Sequence, residues 1–231
     1  MGRRTSLYKI SAMAEVLNNE DGNPSSIHSM GVHSREIVDI ARADIFSVLS
    51  AVDGDKIIFT ASGSESINLA INGVVDLWES SSRFLNSKFN GLKPHIITSA
   101  IEHKAVLATL FDLQSRGIID LTVVGVSAKG IVSVAGLLRC ILANTVLVSL
   151  HYVNNEIGSV QQVSVLGLAL RKRGILFHVD ACQAPCYYSV KVGDIGCDLM
   201  TLISSKVGGP KGMGLLYVRS GVEIRGQIKG G

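Results

Sequence analysis

The chain has 231 residues, 47% of them apolar and 18% charged, which is enough for a sizeable core and too apolar for a disordered polymer. A net charge of +3 with dispersed Lys and Arg argues against a nucleic-acid partner, and no apolar run reaches the roughly 20 residues of a membrane span. The four cysteines form no CxxC and no secretory h-region follows Met1-Gly2-Arg3-Arg4, so free thiols in a reducing cytoplasm, with no metal, are the expectation. Residues 1–20 carry Ala12, Met13, Val16 and Leu17 at helical spacing, and 22–28 form a turn-rich loop. Ser34 is the predicted N-cap of a helix to about residue 50, with Ile37, Ile40, Ala41, Ile45 and Val48 on one face. Residues 56–60 read as the first strand. The small residues of 61–66 then lead into a helix over 67–77, where backbone N–H groups can approach an anion. A polar surface loop is expected over 80–93, a strand over 95–99, and a helix opening at 101–106, where His103 taken alone is a capping or surface residue. Strands follow at 121–125, 145–150, 175–179, 199–203 and 213–218, and helices at 132–142 and 163–173. Arg171, Lys172 and Arg173 suit the C-terminal end of that last helix. Periodicity alone implies a mostly parallel seven-stranded α/β sheet flanked by helices.

Asp180 falls where the fifth strand should end, and Lys206 follows the sixth. In an open α/β sheet, ligands bind beyond the carboxyl ends of the strands. Singly, Asp180 is an ordinary turn former and Lys206 an ordinary solvated charge. Together they suit pyridoxal phosphate, which needs a lysine for its Schiff base and an acid to keep its pyridine nitrogen protonated. Cys182 and Cys186, four apart nearby, could share one helix face; core packing is the reading preferred over metal binding.

HVDACQ (178–183) and SSKVGGPKGMGLLYV (204–218) resemble the lysine region of the cysteine desulfurases, in the class-V aminotransferase-like group. The resemblance runs from about 22 to 218. It takes in GNPSSIH (22–28), Arg35, Val38, Ala41 and Arg42 of an ARxxVxxAR pattern, ASGSES (61–66), EHKAV (102–106) and VNNEIG (153–158). It implies a fold-type-I pyridoxal phosphate transferase large domain over 22–220. Residues 1–21 are then a remnant of an N-terminal segment, and 221–231 the start of a C-terminal region. By the same resemblance Lys206 carries the cofactor, Asp180 pairs with its ring nitrogen, and His103 stacks on the ring. Gln183 bonds its phenolic oxygen, Asn155 lies in the cofactor and substrate pocket, and Gly63, Ser64, Ser204 and Ser205 approach the phosphate. The implied reaction converts L-cysteine to L-alanine and an enzyme-bound persulfide, for iron–sulfur cluster or thiolated cofactor synthesis, in a homodimer that hands sulfur to an acceptor or scaffold protein. The alternatives are a selenocysteine lyase, an aminotransferase, or an inactive or partner-dependent piece that only binds cofactor.

The sequence departs from the family pattern in places. Ile203 and Ser205 stand where the family's lysine segment has Ser and His, and Ser64 stands where Thr is usual. Neither the family's YLDNAATTP-like arm nor its catalytic-cysteine loop is present, and the two final glycines resemble the start of its GGGQE loop. The expectation is a fragment, with apolar surface left uncovered and no cysteine in the nucleophile's place.

Overall fold

A computed structural model describes residues 5–80 and 92–229. Most of the expected 80–93 loop, the first four residues and the final two glycines lie outside the described residues. Seven strands form one sheet: β1 (Lys56–Thr60), β2 (His95–Ser99), β3 (Asp120–Val124), β4 (Thr145–His151), β5 (Leu176–Asp180), β6 (Leu199–Ile203) and β7 (Gly214–Val218). Their order is β1-β7-β6-β5-β4-β2-β3. The pairs β3–β2, β2–β4, β4–β5 and β5–β6 are parallel, while β7 runs antiparallel to both β6 and β1.

The strands are apolar on both sides because both faces are covered. Alternate residues serve opposite faces. Ile96, Leu147, Leu199 and Leu216 pack with α3 (Gly63–Ser80) and α4 (Lys104–Ser115) through Ile67, Ile71, Val106 and Leu110. Their neighbours Ile97, Val148, Met200 and Tyr217 face the other layer, with Leu49, Leu137, Leu166 and Ile195. That layer consists of α2 (Ser29–Leu49), α5 (Val134–Arg139), α6 (Val163–Arg171) and α7 (Val192–Ile195). The helix after β2 and the helix after β4 thus lie on opposite faces of the sheet. The crevice between the carboxyl ends of β2 and β4 is therefore a topological switch point, the usual place for a ligand in such sheets.

Several helix limits differ from the sequence expectation. α2 begins at Ser29, and its cap is His28, whose Nδ1 accepts from Gly31 N. Ser34 is not the N-cap; it is buried inside the helix, and its Oγ has no hydrogen-bond partner. Gly31 looks like a helix breaker, but a Cβ there would come within 2.6 Å of Ser26 O and 2.7 Å of Asn23 O, so the close approach of the 23–26 turn requires it. α3 starts four residues early, at Gly63. Ser62 Oγ accepts from Glu65 N as an N-cap does, and Glu65 Oε2 accepts from Ala61 N, one residue before the cap, a variant of the capping box. α5 is shorter than 132–142 because Val132 N is taken by the Gln161 side chain and Ser133 caps the helix. Cys182 and Cys186 do not share a helix: Cys182 lies in a turn, and only 184–186 form a short 3-10 helix.

The helix expected within 1–20 is α1 (Leu7–Asn19), and it buries none of its residues. It is tied to the chain after Lys206 by polar bonds. Thr5 Oγ1 donates to Gly209 O, and Lys9 Nζ donates to the carbonyls of Val207 and Gly208, each at 3.1 Å.

Candidate active site

Four strand ends deliver the site. β2 leads to His103, β4 to His151–Asn155, β5 to Asp180–Gln183 and β6 to Lys206. His103, His151, Val153, Asn155, Asp180, Cys182, Gln183, Ile203 and Lys206 line one cavity of about 130 Å³. A larger cavity, about 580 Å³, opens at the other end of the sheet among Trp78, Thr145, Arg173, Arg219 and Glu223; neither Asp180 nor Lys206 reaches it.

Asp180 is buried at the end of β5, and its Oδ1 accepts from Cys182 N at 3.0 Å, which closes the turn that presents Gln183. The Cys182 thiol lies beside the same carboxylate. Burial, reinforced by that charge and hydrogen bond, holds its pKa well above the ordinary thiol range, with Lys206 pulling weakly the other way. A buried thiol beside an anion is a poor source of thiolate. His103 caps α4 by accepting from Ala105 N at 3.1 Å through Nδ1, and it also lines the cavity. In the neutral ring this leaves the proton on Nε2.

His178, one turn of the pleat before Asp180, is wholly buried. It bridges Ser149 Oγ (2.8 Å, from Nδ1) and Thr201 Oγ1 (2.9 Å, from Nε2), knitting β4, β5 and β6 beneath the site. Burial pushes its pKa down to about 4, against the weaker pull of Asp180.

Of the residues expected at the phosphate, none lines the cavity, but Gly63 adjoins it. A Cβ on Gly63 would stand 3.0 Å from Cys182 Sγ, a tight contact that glycine avoids at the start of α3. The first N–H groups of a helix have no partner within it. Ser62 takes those of Glu65 and Ser66, leaving those of Gly63 and Ser64 for an anion. Ser204 is otherwise employed. Its Oγ donates to the carbonyls of Pro210 and Met213, the latter at 2.9 Å, and pins the glycine loop, which leaves Ser205 as the available hydroxyl of the pair. Ile203 puts an apolar wall on the cavity.

An acid, a lysine, a planar imidazole and an amide converging beside a helix N-terminus fit pyridoxal phosphate, with the Gly63 approach supplying room at the phosphate end. Sequence reasoning missed His151 and Glu102. Glu102 is buried, and its carboxylate accepts from Ser99 Oγ, His151 N and His151 Nδ1 at 2.5, 2.7 and 2.8 Å. Local spacing gives no sign of a bond between residues 49 apart.

The thiols make a direct check of this environment. Burial raises Cys197 to about 12, and Cys182 is raised by burial and Asp180. Cys140, Cys182 and Cys186 are all half-buried, and of these Cys182 is the one beside the Asp180 carboxylate. With iodoacetamide at pH 8, mass spectrometry should find Cys140 and Cys186 alkylated first. Equal or faster modification of Cys182 would contradict a thiol held protonated by desolvation and the Asp180 charge.

The sequence matches the class-V aminotransferase family over residues 8–231. It is 39% identical over 218 residues to a cysteine desulfurase IscS of Enterobacter sp. (strain 638), covering 93% of this chain and 51% of that protein. It is likewise 39% identical over 222 residues to the IscS of Neisseria meningitidis serogroup C (strain 053442), covering 95% and 52%. The chain thus spans about half the length of the curated relatives it matches. Among solved structures it resembles one described as SspA in complex with cysteine, with TM-score 0.89 and 35% identity over all of this chain and 63% of that one. A NifS-like protein gives TM-score 0.89 and 32% identity over 100% and 60%.

Proposed function

Since the chain belongs to the class-V aminotransferase family, whose members are pyridoxal phosphate enzymes in general, we propose that it forms the cofactor-binding half of a cysteine desulfurase. The observation that carries the reading is the cavity that joins Asp180 and Lys206 to His103, Asn155 and Gln183. The cofactor, when bound, supplies an electron sink for bonds at the substrate's α and β carbons. Lys206 is its attachment point. Asp180 holds the ring nitrogen protonated, His103 covers one face of the ring, and Gln183 donates to its phenolic oxygen. Gly63, Ser64 and Ser205 hold the phosphate. Asn155, exposed at the mouth, orients L-cysteine, which is the ligand named with one of the similar structures.

The sulfur-accepting thiolate is not Cys182, whose burial and anionic neighbour keep it protonated. The sulfur acceptor belongs to this reading as a partner. A second copy of the chain does too, supported by Ile40 and Val48 exposed on α2 beside an apolar cavity of about 300 Å³ lined by Ile45, Leu49, Phe59 and Leu215.

The test is a titration of the 231-residue chain with pyridoxal phosphate and then L-cysteine. A visible absorbance band should appear and change saturably with L-cysteine. Alanine release should not exceed that of free pyridoxal phosphate. No band, or a band indifferent to L-cysteine, would contradict the reading. Turnover abolished by Cys182→Ser would relocate the nucleophile.

A further inference from the structure

We propose that Glu102, His151 and Gln161 form a positioning chain that sets His103 and Asn155 across the switch point. It rests on the proposed function only for what those two residues hold. The chain's polarity is fixed from its far end. Val132 N–H donates to Gln161 Oε1 at 2.9 Å, so the amide nitrogen of Gln161 must point the other way. That nitrogen donates to Gly130 O at 2.8 Å and meets His151 Nε2 at 3.3 Å. His151 Nε2 therefore accepts, and its proton sits on Nδ1, aimed at Glu102 Oε1 2.8 Å away. Glu102 completes the set by accepting from Ser99 Oγ and from His151 N. All three side chains are buried, so each bond excludes water as an alternative partner.

The placement gives the chain its purpose. Glu102 precedes His103, and His151 begins the segment that ends in Asn155. A second tie, Asn154 Nδ2 to Ile101 O at 2.9 Å, joins the same two loops. Both loops are thereby locked in register at the carboxyl ends of β2 and β4. Glu102 faces only donors, so a carboxylate fits and an amide does not. In Glu102→Gln the new NH₂ meets either the His151 backbone N–H, which cannot reverse, or the side of His151 Nδ1–H. Moving that proton to Nε2 would oppose it to the Gln161 amide, which Val132 holds in place. The misfit runs the length of the chain and displaces His103.

Two measurements on the 231-residue chain test this. Imidazole ¹⁵N spectra without cofactor should show His151 protonated at Nδ1, and E102Q should shift both His151 and His103. In pyridoxal phosphate titrations E102Q should bind about tenfold more weakly. In a His103→Ala background the same change should cost markedly less, because Glu102 acts in part through His103; a merely structural role would be additive. Ser99→Ala removes one donor and should shift the same resonances less, a milder variant should E102Q not fold. His151 protonated at Nε2, additive losses, or E102Q matching wild type in affinity and in the His103 resonance would overturn the positioning chain. If the wild-type chain binds no pyridoxal phosphate, the proposed function falls, and the cofactor-free spectra still decide whether the chain exists.

Discussion

Asp180→Asn should weaken pyridoxal phosphate binding by roughly ten- to a hundredfold, about 1.5–3 kcal/mol, while leaving thermal stability near wild type. Asparagine is the informative replacement because Asp180 has two jobs. Its Oδ1 accepts from Cys182 N and closes the turn, and an amide oxygen can do the same. What the amide cannot supply is the negative charge opposite a protonated ring nitrogen in a buried site. Asp180→Ala should lose both jobs, with the same weakening of cofactor and a lower Tm as well. A further sign should appear at Cys182. The Asp180 charge helps hold its thiol protonated, so Asp180→Asn should make Cys182 more reactive toward iodoacetamide. Fluorescence titration with pyridoxal phosphate checks the first expectation. Unchanged affinity and spectrum in Asp180→Asn would remove Asp180 from the ring nitrogen.

Acid should destabilise the protein through His178 by about 3 kcal/mol between pH 6.5 and 4. The imidazole is buried and neutral between Ser149 and Thr201, with its folded-state pKa lowered to about 4 from an ordinary 6.5. Between those values the unfolded chain binds a proton that the native chain refuses, so stability falls as the pH falls through that window. Below about pH 4 both states are protonated and this contribution levels off. His95, buried between Thr145 and Thr122, has its pKa lowered too, chiefly by burial, and adds to the loss in the same sense. Urea unfolding at pH 7, 5.5 and 4 measures the effect. His178→Gln should be less stable at pH 7 and lose less stability on acidification than wild type. Parallel curves for the two proteins would show that His178 does not govern the acid limb.

The sheet was legible in the sequence because buried strands are short apolar runs between turn formers; β2 and β6 lie at 95–99 and 199–203, as their composition predicts. Helix starts were less so. The Ser62-x-x-Glu65 box that opens α3 was there to be read, whereas the shortened α5 depends on Gln161, 29 residues from the Val132 N–H it captures. The same division runs through the site. Asp180 ends a strand, Lys206, His103, Asn155 and Gln183 each follow one, and parallel strands bring their ends together. Ser204 looks like a phosphate donor by position, but its hydroxyl serves carbonyls up to nine residues on. His151 looks like part of a turn, because the partners that give it a role lie on two other loops.

The central claim is that Lys206 holds the cofactor across the cavity from Asp180. Borohydride reduction of the chain after incubation with pyridoxal phosphate, followed by peptide mapping, tests it most directly. The phosphopyridoxyl group should be found on the peptide containing Lys206 and should be lost from that site in Lys206→Ala. A label on another lysine, or none on Lys206 while the cofactor is demonstrably bound, would contradict the assignment.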